Sequence, residues 1–154
     1  MSIVELLIVV AIAMVMAALA IPTTRSAVAN YQLNAAVDTA SGAIQTTRYQ
    51  AIMHGYPYQV DFDSTANTVQ VSSEIPPAVI FSPVANALPI SSSPVVMAVG
   101  TANAASAGHA ILQFKPNGSI SIASGQAAPL SFTISYYGTT KTVTVSNYGS
   151  ISVQ

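Results

Sequence analysis

Apolar positions recur at helical spacing from Met1 to His54, and the character of the pattern changes once. From Leu6 to Ile21 there is no charge, glycine or proline, so a helix here is apolar on every side. Between residues 23 and 54 the apolar positions form one stripe at 4-3-4-3-4 spacing: Leu33, Val37, Ala40, Ile44, Thr47 and Ala51. We predict one helix of some 50 residues, about 80 Å long, whose second half is one-sided.

Two positions are expected to interrupt or end this predicted helix. Pro22 removes a backbone donor and crowds the preceding turn, so we expect a kink or local unwinding there. Gly55 followed by Pro57 is typical of a helix C-terminal cap. The chain therefore divides into an apolar helix over residues 1–22, an amphipathic helix over 23–55 and a head over 56–154.

After Gly55 the period of the apolar positions changes from 3.6 to 2, which predicts strands. Alternation over 56–62, a turn at 64–67 and valines at 69 and 71 predict a hairpin. Prolines and serines over 74–109 indicate loops and short edge strands, with one strand near 95–99 and a small-residue loop over 101–108. Five further short strands are predicted at 110–114, 119–122, 130–136, 141–146 and 150–153, with turns at 115–118, 137–140 and 147–149. The predicted class is α+β, with an antiparallel sheet packed on the helix stripe.

The composition is poor in charge. Charged residues make up 6% and hydrophobic residues 51% of the 154 residues, whereas a typical soluble domain has about 25% charged residues. A head covered by Ser, Thr, Asn, Gln and Ala suits a subunit packed against copies of itself better than a free monomer. Four scattered Lys and Arg residues predict no nucleic-acid footprint. The absence of cysteine excludes disulfides and thiolate metal sites.

Glu5 is an acid in an otherwise apolar helix, where a carboxylate is costly and indicates a function. Met1 lies four residues before it on the same helix face, so the Met1 α-amine is the nearest cation. Residues 1–22 span roughly 33 Å, enough to cross a bilayer core of about 30 Å. A plain membrane anchor leaves Glu5 unexplained, and a cleavable secretory signal lacks its basic region. A buried core helix is a further possible interpretation of residues 1–22.

The N-terminal residues resemble the mature N-terminus of type IV pilins and type II secretion pseudopilins. The matching residues are Glu5, the run Leu6–Val10, the alanine-rich continuation and Ile21–Pro22. The sequence departs from the usual pattern at Met1, where phenylalanine is more usual, and at Met14, where many members carry glycine.

A second resemblance covers the head. The segment RYQAIMHG from Arg48 to Gly55, followed directly by a strand, is similar to the helix end of GspH/FimT-type pilin-like proteins. The closing segments ILQFKPNGSISI and KTVTVSNYGSISV are similar to the end of the same group.

The pilin resemblance implies a non-enzymatic subunit without cofactor or metal, which polymerises through its N-terminal helices into a helical homopolymer. The implied assembly residues are Met1, Glu5 and Pro22, with Glu5 neutralising the Met1 amine of a neighbouring copy. A leader peptidase would also N-methylate Met1. The subunit would wait in the lipid bilayer of the bacterial inner membrane. An assembly platform and an assembly ATPase would then add it to an extracellular fibre that serves adhesion, motility or DNA uptake.

Three roles stay open within that family. The uncharged head favours a shaft-forming pilin, whereas the GspH/FimT likeness favours a minor pilin or pseudopilin that primes assembly at a tip. A DNA-binding receptor pilin needs a basic stripe, for which Lys115 and Lys141 are only two candidates.

The sequence contains little that suggests other chemistry. His54 and His109 are predicted to be surface or turn residues, because no compact ligand set stands near either. Asp61 and Asp63 flank Phe62 on the predicted solvent face, and a cation site there is the less favoured interpretation.

Overall fold

The computed structural model describes residues 2–91, 95–100, 108–122 and 129–154, with the side chains of residues 19–23 left out. Most of the loop predicted at 101–108 lies outside these residues. The described residues form one helix, α1 (Ile3–His54), and ten strands: β1 (Tyr58–Asp63), β2 (Thr68–Ser73), β3 (Ser82–Pro83), β4 (Leu88–Pro89), β5 (Val96–Val99), β6 (His109–Phe114), β7 (Ile120–Ile122), β8 (Leu130–Tyr136), β9 (Thr139–Val145) and β10 (Ile151–Val153).

Helix α1 is a single helix of 52 residues with a defined cap at each end. At the start, the Val4 N–H donates to the Ser2 hydroxyl oxygen at 3.4 Å. At the end, Gly55 adopts the left-handed conformation (φ 74°) and its N–H donates to the Ala51 carbonyl at 3.1 Å. The C-terminal cap predicted at Gly55 is therefore confirmed, since glycine reaches this conformation without a Cβ penalty.

The helix continues without a break through position 22. The local unwinding predicted at Pro22 is absent from the described backbone, although a proline deprives the helix of one hydrogen bond. The flanking alanine, leucine and isoleucine residues are compatible with a helix, and a single missing bond is tolerated there.

The predicted apolar stripe of α1 faces the head, and all six of its positions are buried: Leu33, Val37, Ala40, Ile44, Thr47 and Ala51. Thr47 is the polar member, and its hydroxyl donates to the Ala43 carbonyl at 2.7 Å. This bond satisfies the buried hydroxyl within the helix itself. The prediction made from helical spacing is confirmed.

The described strands form two antiparallel sheets, whereas the sequence predicted one. The first sheet has the order β3-β2-β1-β6-β7, with β4 also pairing with β2, and the second has the order β10-β9-β8-β5. The predicted β1–β2 hairpin is confirmed, with Val60 opposite Val71. The short edge strands predicted for the proline-rich segment are β3 and β4, which have two residues each and lie on the edge of β2.

The sheets meet each other and α1 in one core. The rings of Phe62 on β1 and Phe132 on β8 stack with centroids 4.8 Å apart, and both are buried. Alternate residues of β1, β6 and β8 point into this core, as their burial patterns show. The prediction from alternating apolar positions is therefore confirmed for these strands, although the assignment of all strands to one sheet was wrong.

The β8–β9 hairpin turns on two residues. Tyr137 and Gly138 have φ values of 50° and 78°, which is typical of a tight type I′ turn. Strand β9 begins at Thr139, so the four-residue turn predicted at 137–140 is shorter in the structure. A type I′ turn matches the right-handed twist of the strands, so pairing continues up to it.

Candidate functional site

The first part of α1 projects its apolar side chains into solvent on every side. We call residues 3–18 the apolar stem. Among the described residues, the first buried position of the helix is Ala29. Large apolar side chains of the stem are between 42% and 80% exposed: Ile3, Val4, Leu6, Leu7, Ile8, Val9, Val10, Ile12, Met14, Val15 and Met16. Soluble monomers rarely expose a large contiguous apolar patch of this kind, so the stem marks a surface that another apolar phase or protein covers.

The stem carries small residues among the large ones. Ala11, Ala13, Ala17 and Ala18 are all exposed. Small side chains let helix backbones approach closely, which favours helix association where the surroundings are already apolar. The stem can therefore pack against other helices of the same kind.

Of the three predicted assembly residues, Glu5 is the one whose side chain is described. It is exposed in the first turn of α1, where the helix dipole favours a negative charge. Within the described residues, no ion pair joins it to another side chain. Met1 lies outside the described residues, as does the side chain of Pro22, so their roles stay predictions.

The structure also bears on the predicted membrane anchor. Within its described residues, the chain has no helix that combines the length and the apolarity needed to cross a membrane.

On the head, the pairing of β1 with β6 brings Asp61 beside His109. The His109 Nδ1 lies 3.1 Å from Oδ1 and 3.0 Å from Oδ2 of Asp61. Burial raises the pKa of the Asp61 carboxyl above its ordinary value, and the hydrogen bond from His109 offsets part of this effect. The sequence predicted His109 as a surface or turn residue and did not reveal its partner, because Asp61 lies 48 residues away in the chain. Alternation placed Asp61 on the outer face but carried no signal for the pairing of β1 with β6.

Asp63 serves the β1–β2 turn. Its Oδ1 accepts from the N–H groups of Thr65 at 2.7 Å and Ala66 at 3.1 Å. These backbone hydrogen bonds hold the pKa of the Asp63 carboxyl below its ordinary value. In the described part of the chain, no three His, Cys, Asp or Glu residues cluster closely enough to hold a metal ion. Asp61 therefore pairs with a histidine side chain, whereas Asp63 accepts hydrogen bonds from the backbone of a turn.

We expect Asp61→Asn and Asp63→Asn to change the pH dependence of stability in opposite directions. The fold disfavours ionised Asp61, so its stabilising contribution is present below the ordinary pKa of 3.8 and is lost as pH rises through the raised folded pKa. The fold favours ionised Asp63, so its contribution is present above 3.8 and is lost as pH falls through the lowered folded pKa. As pH rises, Asp61→Asn should gain stability relative to the wild type and Asp63→Asn should lose it.

Urea unfolding of the full chain in a mild detergent measures this difference. A range from about pH 2.5 to 5.5 avoids the titration of histidine. Each variant serves as the control for the other, because both remove one carboxylate from the same strand. Slopes of the same sign for the two variants would contradict the assignment.

An aromatic cluster joins the end of α1 to β1. The Tyr56 and Tyr58 rings stack at 5.3 Å, and each ring lies 5.6 Å from the His54 ring. Burial raises the pKa of Tyr58 to about 12, and its hydroxyl lies 3.3 Å from the His54 Nδ1. His54 is exposed, as predicted. The cluster therefore packs the last turn of α1 against the residues that lead into β1.

The two head lysines do not form a stripe. Lys141 donates to the side-chain oxygen of Asn34, whereas the Lys115–Gly118 turn lies against Ile52. Asn34 and Ile52 are about 27 Å apart along the helix axis, at about 1.5 Å per residue. The arrangement lacks the contiguous basic surface that nucleic-acid binding needs.

The fold can be compared with solved structures. The minor pseudopilin EpsH from the type 2 secretion system of Vibrio cholerae matches with a TM-score of 0.59 at 11% identity, over 80% of this chain and 96% of that one. A second EpsH structure matches with a TM-score of 0.58 at 11% identity, over 82% and 97% of the chains. The type IV minor pilin FimU of Pseudomonas aeruginosa matches with a TM-score of 0.54 at 15% identity, over 81% and 89%.

These matches cover most of each chain, so the structure has the fold of the pilins and pseudopilins. The predicted α+β pilin fold, a long N-terminal helix on an antiparallel head, is confirmed. No protein-family model matches the sequence, and no curated protein matches it. At sequence identities this low, the likeness defines the fold alone.

Proposed function

We propose that this protein is a non-enzymatic structural subunit of a pilus-like filament, held together by the apolar stems of neighbouring copies. The observation that carries the proposal is the stem itself, whose apolar side chains are exposed on every side. The head completes its own core without it, since the buried part of α1 begins at Ala29 among the described residues. The stem is therefore available for contacts between copies.

The stem has two apolar environments in this proposal. It first lies in the bacterial inner membrane and then enters the core of an extracellular filament, through an assembly platform and ATPase. The transfer costs little hydrophobic free energy, because lipid and filament core are similarly apolar. Close helix packing and the Glu5 charge must then supply the preference for the filament.

Glu5 supplies the register between copies. An N-terminal amine at Met1 of one copy and the Glu5 carboxylate of the next neutralise each other in the dry core, where an unpaired charge is strongly disfavoured. A shift of one helix along its neighbour would separate the two charges. Methylation of the Met1 amine by the leader peptidase leaves the positive charge available for this pair.

Electron microscopy of filaments sheared from cells that produce the chain tests the proposal. We expect fibres that contain the full chain, and none from a variant that lacks residues 2–18. The shortened chain should still fold, because the stem contributes no buried residue in the described structure. A full chain that remains a monodisperse monomer in aqueous buffer, with no fibres in cells, would sink the proposal.

A second role within the filament is supported by the solved structures. EpsH is named a minor pseudopilin and FimU a minor pilin. A minor subunit that primes assembly at a tip is therefore the alternative to a shaft-forming pilin. Quantitative mass spectrometry of sheared fibres separates them, because a shaft subunit dominates the fibre and a tip subunit is present in trace amounts.

A further inference from the structure

A cleft of about 230 Å³ lies between α1 and the tip of the β8–β9 hairpin. Three residues of the helix and two of the hairpin line it: Thr24, Arg25, Val28, Tyr136 and Tyr137. The three helix residues precede Ala29, the first buried position of α1 among the described residues. The cleft therefore lies at the junction between the stem and the core of the head.

The hairpin places two phenol rings at the cleft. Tyr136 is half-buried against the core and Tyr137 is 72% exposed, with their rings edge-on at 5.2 Å. Further along β9, Lys141 donates to the side-chain oxygen of Asn34, which holds the hairpin against α1. Tyrosine has an apolar ring and a polar tip, so it is enriched where lipid hydrocarbon meets water. The pair is thus suited to the headgroup level of a bilayer.

Arg25 supplies a cation to the same cleft. Its side chain is exposed, and within the described part of the chain no hydrogen bond or ion pair joins its guanidinium to another group. A guanidinium matches the geometry of phosphate through paired hydrogen bonds. A mainly apolar cleft with one available guanidinium is suited to a phosphate group that carries apolar chains.

The spacing of charges along α1 sets the depth of this cleft. Between Glu5 and Arg25 the sequence has no charged residue. The helix is continuous over these 20 positions, which correspond to about 30 Å of its length. The hydrocarbon core of a bilayer is also about 30 Å thick. With Glu5 at one boundary of that core, Arg25 lies at the other, level with the lipid phosphates.

A second copy of the chain offers few counter-charges for Arg25. The chain has five acids, of which Asp61 and Asp63 have partners within their own chain, and Glu5 is assigned to the Met1 amine of a neighbour. A phospholipid bilayer supplies a phosphate at this depth from every molecule of the leaflet. Charge and depth together favour lipid as the occupant.

We propose that the cleft binds the headgroup phosphate of a membrane phospholipid, with Arg25 on the phosphate and the two tyrosine rings at the boundary of the hydrocarbon. The site rests on the stage of the proposed function in which the stem lies in the inner membrane. The contact holds the head at a fixed depth against the bilayer before the subunit enters a filament.

The chain contains no tryptophan, so single tryptophans report depth in the full chain reconstituted into vesicles of dioleoylphosphatidylcholine. We expect Tyr137→Trp to be quenched more strongly by a nitroxide on the headgroup than by one at the end of the acyl chain. Tyr148→Trp is the matched control and should be quenched by neither. Tyr148 is exposed, and the adjacent Gly149 lies against Arg48, about 35 Å along the helix from Arg25.

Substitution of Arg25 in the Tyr137→Trp chain tests the chemistry. Quenched and unquenched fluorescence lifetimes give the ratio of docked to undocked tryptophan. Arg25→Gln should lower this ratio about tenfold, the factor that a hydrogen bond to a charged group typically contributes. In vesicles of digalactosyldiacylglycerol, which has no phosphate, the chains with and without Arg25→Gln should give the same low ratio. Lys141→Gln removes a cation from the same hairpin and should change nothing.

Val15→Trp separates this site from the membrane stage, because Val15 lies midway between Glu5 and Arg25 on the exposed stem. Strong quenching of Val15→Trp by the chain-end nitroxide, with none of Tyr137→Trp by the headgroup nitroxide, would overturn the lipid site alone. Absence of quenching at Val15→Trp would overturn the membrane stage as well. A docking ratio unchanged by Arg25→Gln in phosphatidylcholine would overturn the phosphate contact. Shielding of Tyr137→Trp only at high ratios of chain to lipid would identify a second copy as the occupant and would also overturn it.

Discussion

Replacing Glu5 with valine is expected to reduce filament yield at least about tenfold while the head remains folded. The variant removes the carboxylate from an exposed position in the first turn of α1, so no contact within the described chain is lost. In the proposed filament, the Met1 amine of the neighbouring copy would be left without its counter-charge, and an uncompensated charge in a dry core costs several kcal/mol. A cost of about 1.4 kcal/mol already corresponds to a factor of ten in assembly.

Membrane insertion should be unaffected or improved, because valine partitions into lipid more favourably than glutamate. Filament yield is measured in the sheared fraction and insertion in the membrane fraction of the same cells. Glu74→Gln is the matched control, since it removes an acid from the head and should leave the yield unchanged. A normal yield of filaments from Glu5→Val would show that pairing at this position is not needed.

Replacing Phe132 with alanine is expected to destabilise the head by about 3–5 kcal/mol, the usual cost for a buried phenylalanine. Phe132 is buried on β8 and stacks on Phe62 of β1, so its ring joins the two sheets. Domains of this size are typically stable by about 5–15 kcal/mol. The loss is therefore a large fraction of the total and should lower the amount of folded chain in cells.

Urea unfolding of the full chain in a mild detergent gives the free energy directly. Tyr148→Ala is the matched control: it also truncates an aromatic side chain, but an exposed one, and should change stability by less than about 0.5 kcal/mol. Phe62→Ala should cost about as much as Phe132→Ala, and the double variant should cost less than their sum because the two rings share one contact. Additive losses would show that the sheets do not depend on this pair.

These two variants test contacts of different kinds, one within a chain and one between chains. Phe132 acts within one chain, in a core to which the stem contributes no described residue. In the proposed filament, Glu5 acts between chains. A stem variant should therefore leave the unfolding curve unchanged, and a core variant should reduce filament yield only through loss of folded subunits.

Local pattern predicted the helix, its buried stripe and its C-terminal cap, but not its continuity through position 22. The stripe from Leu33 to Ala51 is buried because residues at helical spacing share a face, and this face packs on the head. The cap at Gly55 followed from the chemistry of glycine and the position of Pro57. The exposure of the stem was predictable for the same reason, since a helix that is apolar on every side cannot bury all of itself against one small head.

Local pattern could not predict contacts between distant segments. Alternation places Asp61 on an outer face, but only the pairing of β1 with β6 brings His109 beside it. The division into two sheets has the same origin, because β5 pairs with β8 and not with the strands of the first sheet. Many strand orders satisfy the same alternation, so periodicity alone cannot select among them.

The sequence by itself determined a long helix with an apolar stem, an amphipathic second half and a charge-poor β head, because helical and strand periods are local properties of the chain. It also marked Glu5 as the acid in the stem. Only the tertiary structure decided that the described strands of the head form two sheets and that Asp61 meets His109. Those features depend on which distant strands pair, and the packing of the whole core determines that pairing.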